Sequence, residues 1–191
     1  MTGRTHDLAA FTAVSYVAVT HTLEPMSLAT LIVSFTACMV GGLAPDIDQP
    51  TADLWHRLPA GGIIGRIFTP FLGGHRFISH SILGIFIFGF LARMLLDFMA
   101  PVVLVNMTIV WWAFMIGFLS HLVMDTFTRE AVPWLFPIPI HIGIPPFKAL
   151  RIKTGSMVEK SIVFPGLLLL TFWIYYANYH KVLDFLRHYI K

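Results

Sequence analysis

Cysteine is nearly absent from the sequence. The one thiol, Cys38, lies inside an apolar run, so the chain has neither an intrachain disulfide nor the paired cysteines of a zinc ribbon. Two catalytic motifs are also missing: the GxSxG turn of the α/β-hydrolases, and a glycine-rich loop that ends in GK and binds nucleotide phosphates. These absences exclude disulfide scaffolds, thiolate zinc sites of the ribbon type, and the nucleotide-binding and serine-hydrolase classes that those motifs define.

Charge is scarce as well. Only 12% of the 191 residues are charged, whereas 57% are hydrophobic, which is more than a soluble core of this size requires. Five apolar runs each approach the roughly 20 residues needed to cross an about 30 Å hydrocarbon layer; they cover residues 8–23, 26–44, 81–99, 102–127 and 162–179. The sequence therefore predicts an all-α, polytopic membrane protein with about five transmembrane helices, folded as one domain over residues 1–191.

The first run is the shortest of the five and follows Arg4, His6 and Asp7. It lacks the small-residue cleavage site of a secretory signal, and Thr and Ser residues interrupt it, so we expect a retained first span.

The distribution of basic residues predicts the orientation. Five spans place the N-terminal tail and the two long loops, residues 45–80 and 128–161, on one side, and the C-terminus on the other. The loop side carries nine basic residues: Arg4, Arg57, Arg66, Arg76, Arg129, Lys148, Arg151, Lys153 and Lys160. The opposite side carries Lys181, Arg187 and Lys191. This bias favours a cell (inner, cytoplasmic) membrane protein with its loops in the cytoplasm, and it explains the net charge of +3 without nucleic-acid binding.

Eight ionisable residues that can bind metal stand beside span ends on the loop side, where the topology brings them together. We predict a metal site made from His6, Asp46, Asp48, His75, His80, His121, Asp125 and Glu159. Arg93 and Asp97 stand four residues apart near the other end of the third span, and the preferred interpretation is a structural ion pair.

His121 and Asp125 form the sharpest local signal. Four residues apart on a helix, they share one face about 6 Å apart, close enough to bind one ion or bridge two. Ionisable residues within a span are functional by default, although a structural hydrogen-bonded pair is the alternative.

Asp46 and Asp48 follow Pro45, which ends the second span, and can present carboxylates to one ion or to neighbouring ions. The alternative is an ordinary solvated turn. Arg76 lies between His75 and His80, and a guanidinium beside a metal site suits a phosphate. Its alternatives are a cytoplasmic membrane anchor or a partner for Asp48.

His6 and Glu159 join the predicted ligands because the topology places them on the same side. A mixed set of His, Asp and Glu ligands without thiolate fits zinc, with manganese as the alternative.

Five segments together resemble the membrane-bound metal-dependent hydrolase family of the YdjM type. They are THD at the N-terminus, GGLAPDIDQP, GGHRFISHS, GFLSHLVMDTFT followed by VPWLFP, and TGSMVE. The family resembles the zinc-dependent phospholipase C and P1 nuclease group, which are all-helical phosphoester hydrolases. That relation implies the ligand set given above, with Asp48 as a ligand or as a base behind the ligands. Phe77, Ser79 and Ala131 stand where the family usually has Gly, Thr and Gly.

The relation also bears on the number of ions. Those secreted enzymes use a processed N-terminus as a ligand, and this chain shows no cleavage site, so we expect two ions and treat a third as the alternative.

The sequence therefore predicts a metal-dependent hydrolase that uses a metal-activated water to cleave a phosphoester in a phospholipid or lipid-linked substrate at the cytoplasmic leaflet. Asp48 or Asp46 accepts the proton of that water, and Arg76 holds a phosphoryl oxygen. The alternatives are a metal-binding membrane protein or transporter without hydrolase activity, an esterase or amidase, and a purely structural protein. The oligomeric state stays open.

The second loop has a further expected role. It is rich in proline and aromatic residues and is predicted to lie along the membrane surface, where Lys148, Arg151 and Lys153 either attract anionic head groups or anchor the loop.

Overall fold

The computed structural model describes residues 1–20, 26–49, 55, 63, 76–138 and 140–190. The described part contains six α-helices: α1 (Gly3–Thr20), α2 (Leu28–Leu43), α3 (Ile82–Met99), α4 (Met107–Thr126), α5 (Phe164–Ala177) and α6 (Tyr179–Ile190). A 3-10 turn, Ala44–Asp48, continues α2, a second one covers Lys148–Leu150, and a π-helical turn, Glu159–Val163, leads into α5. The only β-type pairings in the described residues are two isolated bridges in the second loop. The all-α prediction is confirmed.

Four helical segments of the described part are long and apolar enough to cross a membrane. They are Leu28–Asp48, Ile82–Met99, Met107–Thr126 and Glu159–Ala177, and they correspond to the second to fifth predicted spans. The polytopic character is therefore confirmed, but the first predicted span, α1, does not meet the same test, because polar residues fill its first turns.

Although α1 is more polar, it runs the length of the bundle beside α5. Near its start the Thr2 hydroxyl donates to Glu159 (2.8 Å), and further along the Thr12 hydroxyl lies 2.7 Å from that of Thr171. At its end the Lys181 ammonium donates to the Val19 carbonyl (3.2 Å). In these pairs the residue number increases along α1 and along the chain through α5 in the same order, so the two helices run in the same direction. The N-terminus therefore lies at the Glu159 end.

Three helices begin at side chains that accept hydrogen bonds from the first free amides. Ser27 caps α2, Ser81 caps α3 and Asn106 caps α4, each accepting from backbone N–H groups two or three residues later. Such caps satisfy donors that would otherwise be unpaired at a helix start.

The helices α1, α2 and α4 form the centre of the bundle, and glycines allow the closest approach. A Cβ on Gly117 of α4 would lie 2.0 Å from the Cys38 carbonyl oxygen, and one on Gly41 of α2 would lie 2.1 Å from the Phe114 carbonyl oxygen. Small residues at a helix crossing permit this contact between backbones. The outer helices α3 and α5 instead expose large apolar side chains, as lipid-facing helices do.

The C-terminal helix α6 was not predicted. It starts directly after Asn178, which ends α5, and its apolar and charged residues fall on different faces. The single 12-residue helix is too short and too polar to stand out as an apolar run.

Candidate metal centre

Five of the eight predicted ligands meet at one end of the bundle, and they come from four separate segments. His6 lies in the first turns of α1, Asp46 in the 3-10 turn after α2, His80 just before α3, and His121 with Asp125 in the last turns of α4. Two groups of three offer ligand atoms within 4.8 Å of one another: His6, Asp46 and His121, and His80, His121 and Asp125. We call these five residues the cluster.

His121 belongs to both groups. Its Nδ1 lies 2.7 Å from the carbonyl oxygen of Gly42, and because a carbonyl can only accept, Nδ1 carries the proton. Its Nε2 is buried without a hydrogen-bond partner, 3.4 Å from a carboxylate oxygen of Asp46 and 3.7 Å from one of Asp125. A lone pair that faces two carboxylates is the arrangement that a cation completes.

His80 presents its two ring nitrogens to different carboxylates. Nε2 lies 3.5 Å from Asp46 and 3.8 Å from Asp125, whereas Nδ1 lies 3.4 Å from Asp48. Burial lowers the pKa of His80, but the hydrogen bonds with Asp46 and Asp48 outweigh burial and raise the pKa to about 9. Since a metal binds the neutral imidazole, metal binding at His80 requires release of this proton.

Asp48 lies behind His80 and outside both three-residue groups. Its carboxylate is completely buried and accepts hydrogen bonds from the Ser79 hydroxyl (2.5 Å) and the Arg76 amide (2.8 Å). Ser79 also lies 3.0 Å from Nδ1 of His80. This geometry orients the imidazole. Direct ligation by Asp48, and its role as a base, stay predictions.

His6 stacks on His121, with ring centroids 3.6 Å apart and planes 10° from parallel. Its Nε2 lies 3.2 Å from Asp125 and 2.9 Å from the α-amino group of Met1, which also contacts the Asp125 carboxylate. The Nδ1 atom is buried without a hydrogen-bond partner. Met1 was missed as part of this arrangement, although the N-terminal ligand of the resembling enzymes was a signal for it.

Arg76 is buried and held by protein groups. Its guanidinium lies 2.5 Å from Asp125 and donates to the Thr128 hydroxyl and the Ala131 carbonyl, both at 2.9 Å. Its Nε lies 3.3 Å from Glu130. The guanidinium therefore pairs with Asp125 and Glu130, and only the backbone amide of Arg76 contacts Asp48. A phosphate contact stays a prediction.

Glu159 lies at the same end but outside both groups. One carboxylate oxygen accepts hydrogen bonds from the Thr2 amide (2.7 Å) and from the hydroxyls of Thr2 (2.8 Å) and Thr5 (2.7 Å), and the other accepts from the Gly155 amide (2.7 Å). In this structure Glu159 therefore holds the segment that leads to His6, and its ligand role stays a prediction. His75 lies outside the described residues.

The donor set fits a divalent cation. Imidazole nitrogens and carboxylate oxygens converge without a thiolate, and a histidine lone pair is buried with no other partner. Such mixed nitrogen and oxygen sites suit zinc or manganese.

Comparisons with known proteins agree with the membrane architecture. The family model described as YdjM inner membrane protein matches residues 1–183. The uncharacterized protein YvsG of Bacillus subtilis (strain 168) is 28% identical over 180 residues, which cover 94% of this chain and 98% of the relative. No solved structure matches the chain.

Proposed function

The chain belongs to the YdjM inner membrane protein family, and we propose, from the geometry of its cluster, that it is an integral membrane metal-dependent hydrolase. Its substrate is a phospholipid or a lipid-linked phosphate, and the reaction is phosphoester hydrolysis. The observation that carries the proposal is the buried Nε2 of His121, unpaired and facing Asp46 and Asp125. A structural hydrogen-bond network would give this nitrogen a hydrogen-bond partner.

The proposed ligands divide between two ions. His6, Asp46 and His121 hold one, and His80 and Asp125, with His121 beside them, hold the other. Zinc is the preferred metal, manganese the alternative. When bound, the metal activates a water and stabilises the charge of the phosphoryl oxygens.

The protein groups have separate roles. Asp48 and Ser79 orient His80, and the Gly42 carbonyl orients His121. Asp46 is the preferred proton acceptor, because its side chain is 20% exposed whereas Asp48 is completely buried. The guanidinium of Arg76 pairs with Asp125 and is proposed to hold a phosphoryl oxygen of a phosphate that approaches that carboxylate.

A lipid substrate follows from the position of the cluster. The ligands stand at the ends of apolar spans, so a lipid can remain in the bilayer while its phosphate reaches metal depth. The basic loops support a cytoplasmic location for this end. A free, water-soluble phosphoester would not need a site at this boundary.

The rival function is metal binding or transport without hydrolysis. Transport predicts ligands at several membrane depths and helices broken at mid-span. In the described residues the three-residue ligand groups lie at one end of the bundle, which favours an enzyme.

The test uses purified His121→Ala and His80→Ala variants, with His141→Ala as the control because His141 is exposed and outside the cluster. We expect both cluster variants to lose bound zinc by elemental analysis and to lose phosphate or head-group release from a lipid panel, whereas the control keeps both. Unchanged metal content in the cluster variants would refute the site. A metal-loaded protein that cleaves no lipid but moves zinc across liposomes would establish the rival.

A further inference from the structure

The segment of residues 131–158 combines exposed apolar side chains with basic ones. Its large apolar residues include Ile144, Phe147, Leu150 and Met157, which are 53%, 71%, 69% and 75% exposed. Soluble surfaces rarely present so many large apolar residues together, and such patches mark contacts with proteins or membranes.

The backbone of this segment is fastened to the end of α4. The Ile144 amide donates to the Thr126 carbonyl (2.9 Å), and the Ile152 amide donates to the Phe127 carbonyl (3.0 Å). Because α4 is a candidate span that ends at Thr126, these bonds hold the segment at the depth where the span leaves the hydrocarbon. The exposed apolar residues therefore lie at the membrane boundary on the side of the cluster.

The charge of the segment has one sign. It contains Lys148, Arg151 and Lys153 and no acidic residue. Arg151 is half-buried, and its guanidinium donates to the carbonyls of Pro145 (2.7 Å) and Pro146 (2.9 Å), so it holds the loop together. Its expected part in attracting head groups stays a prediction, while Lys148 and Lys153 are exposed.

We propose that the 131–158 segment lies in the head-group layer of the leaflet on the side of the cluster, and that it binds anionic phospholipid there. The apolar side chains enter the boundary of the acyl chains, and Lys148 and Lys153 contact the phosphates. This arrangement holds anionic lipid at the end of α4 that carries Asp125, because the segment is bonded to Thr126 and Phe127, which follow Asp125 directly. The inference requires the membrane location but is independent of hydrolysis.

The first experiment measures the depth of the segment. Cys38 is buried, so a cysteine introduced at Phe147 is the accessible one and takes an environment-sensitive fluorophore. In nanodiscs of phosphatidylglycerol and phosphatidylcholine, we expect blue-shifted emission, strong quenching by nitroxide-labelled lipid and little by aqueous iodide. Phe90→Cys, on a lipid-facing helix, is the control for a position inside the bilayer, and Arg129→Cys is the control for a position in water. Iodide quenching at position 147 equal to that at position 129 would overturn the proposal.

The second experiment tests the charge. Energy transfer from the label at position 147 reports the enrichment of head-group-labelled phosphatidylglycerol over phosphatidylcholine. We expect Lys148→Gln and Lys153→Gln each to lower this enrichment by up to about fivefold, the factor that corresponds to about 1 kcal/mol per basic residue near an anionic surface. Lys181→Gln, at the opposite end, is the matched control. Unchanged enrichment in both loop variants would exclude an anionic partner.

Discussion

The two ends of the helix bundle both carry ionisable side chains, but they hold them differently. At the far end Arg93 and Asp97 pair with each other on α3, with two N–O distances of 3.0 Å, and both are about half exposed. At the end that carries the cluster, Asp125 is 1% exposed and contacts groups from several segments, including His6 and Arg76.

The difference indicates where the function lies. An exposed pair on one helix costs little to form and contributes little. Buried charges carry a large desolvation penalty, so a buried group of carboxylates and imidazoles with an unpaired lone pair is poorly suited to stability alone. Substitutions at the end that carries the cluster are therefore expected to change stability and bound metal more than substitutions at the far end.

The largest expected difference comes from removing one carboxylate at each end. In chelator-treated protein, Asp125→Ala removes the buried carboxylate of the Arg76 guanidinium and leaves it only the exposed Glu130, which should lower the free energy of unfolding by about 3–5 kcal/mol. Asp97→Ala removes an exposed partner and should cost about 0–1 kcal/mol. Equilibrium unfolding in detergent micelles measures both. Equal losses of unfolding free energy would show that the buried and the exposed carboxylate contribute equally to stability.

A smaller difference is expected from the glycines at helix crossings. Gly117→Ala places a Cβ 2.0 Å from a backbone oxygen, so α2 and α4 must separate, at an expected cost of about 1–3 kcal/mol. Because Gly117 lies one turn before His121, bound zinc should fall as well. Gly89→Ala places its Cβ against the flexible end of the Met115 side chain, 3.1 Å from the sulfur and 3.2 Å from Cε, and should change stability and zinc content little. A Gly117→Ala protein with unchanged stability and zinc content would contradict the close packing.

The smallest effect tests backbone strain beside the cluster. Ala131 adopts a φ of 60°, in the left-handed region where a side chain is unfavourable by about 1–2 kcal/mol. Ala131→Gly should therefore stabilise the protein by about 1 kcal/mol, after allowance for the flexibility of glycine when unfolded. The control Ala100→Gly, at the end of α3 with a φ of −52°, should destabilise it by about 0.5–1 kcal/mol. Thermal unfolding measures both signs, and a loss of stability in Ala131→Gly would show that the strain is absent.

Much of the candidate site was predictable because its signals are local. The helical spacing of His121 and Asp125 and the position of Asp46 after a proline needed only the sequence and the helical repeat. The geometry of Asp48 was not predictable, because it depends on Ser79 and His80 in another segment. Ala131 was singled out only through the family resemblance of the sequence, and its positive φ was not predicted.

By itself the sequence determined an all-helical membrane protein with its metal-binding residue types at one end, because apolar length and helical repeat act within each segment. It did not identify α1 securely, since the polar residues in its first turns, His6 of the cluster among them, reduce its hydropathy. Only the tertiary structure decided that the unpartnered Nε2 of His121 faces Asp46 and that the Arg76 guanidinium pairs with Asp125. It also decided that Glu159 accepts hydrogen bonds from the N-terminal segment. Those contacts depend on how closely distant helices approach, and that distance is set by the glycines where α2 and α4 cross.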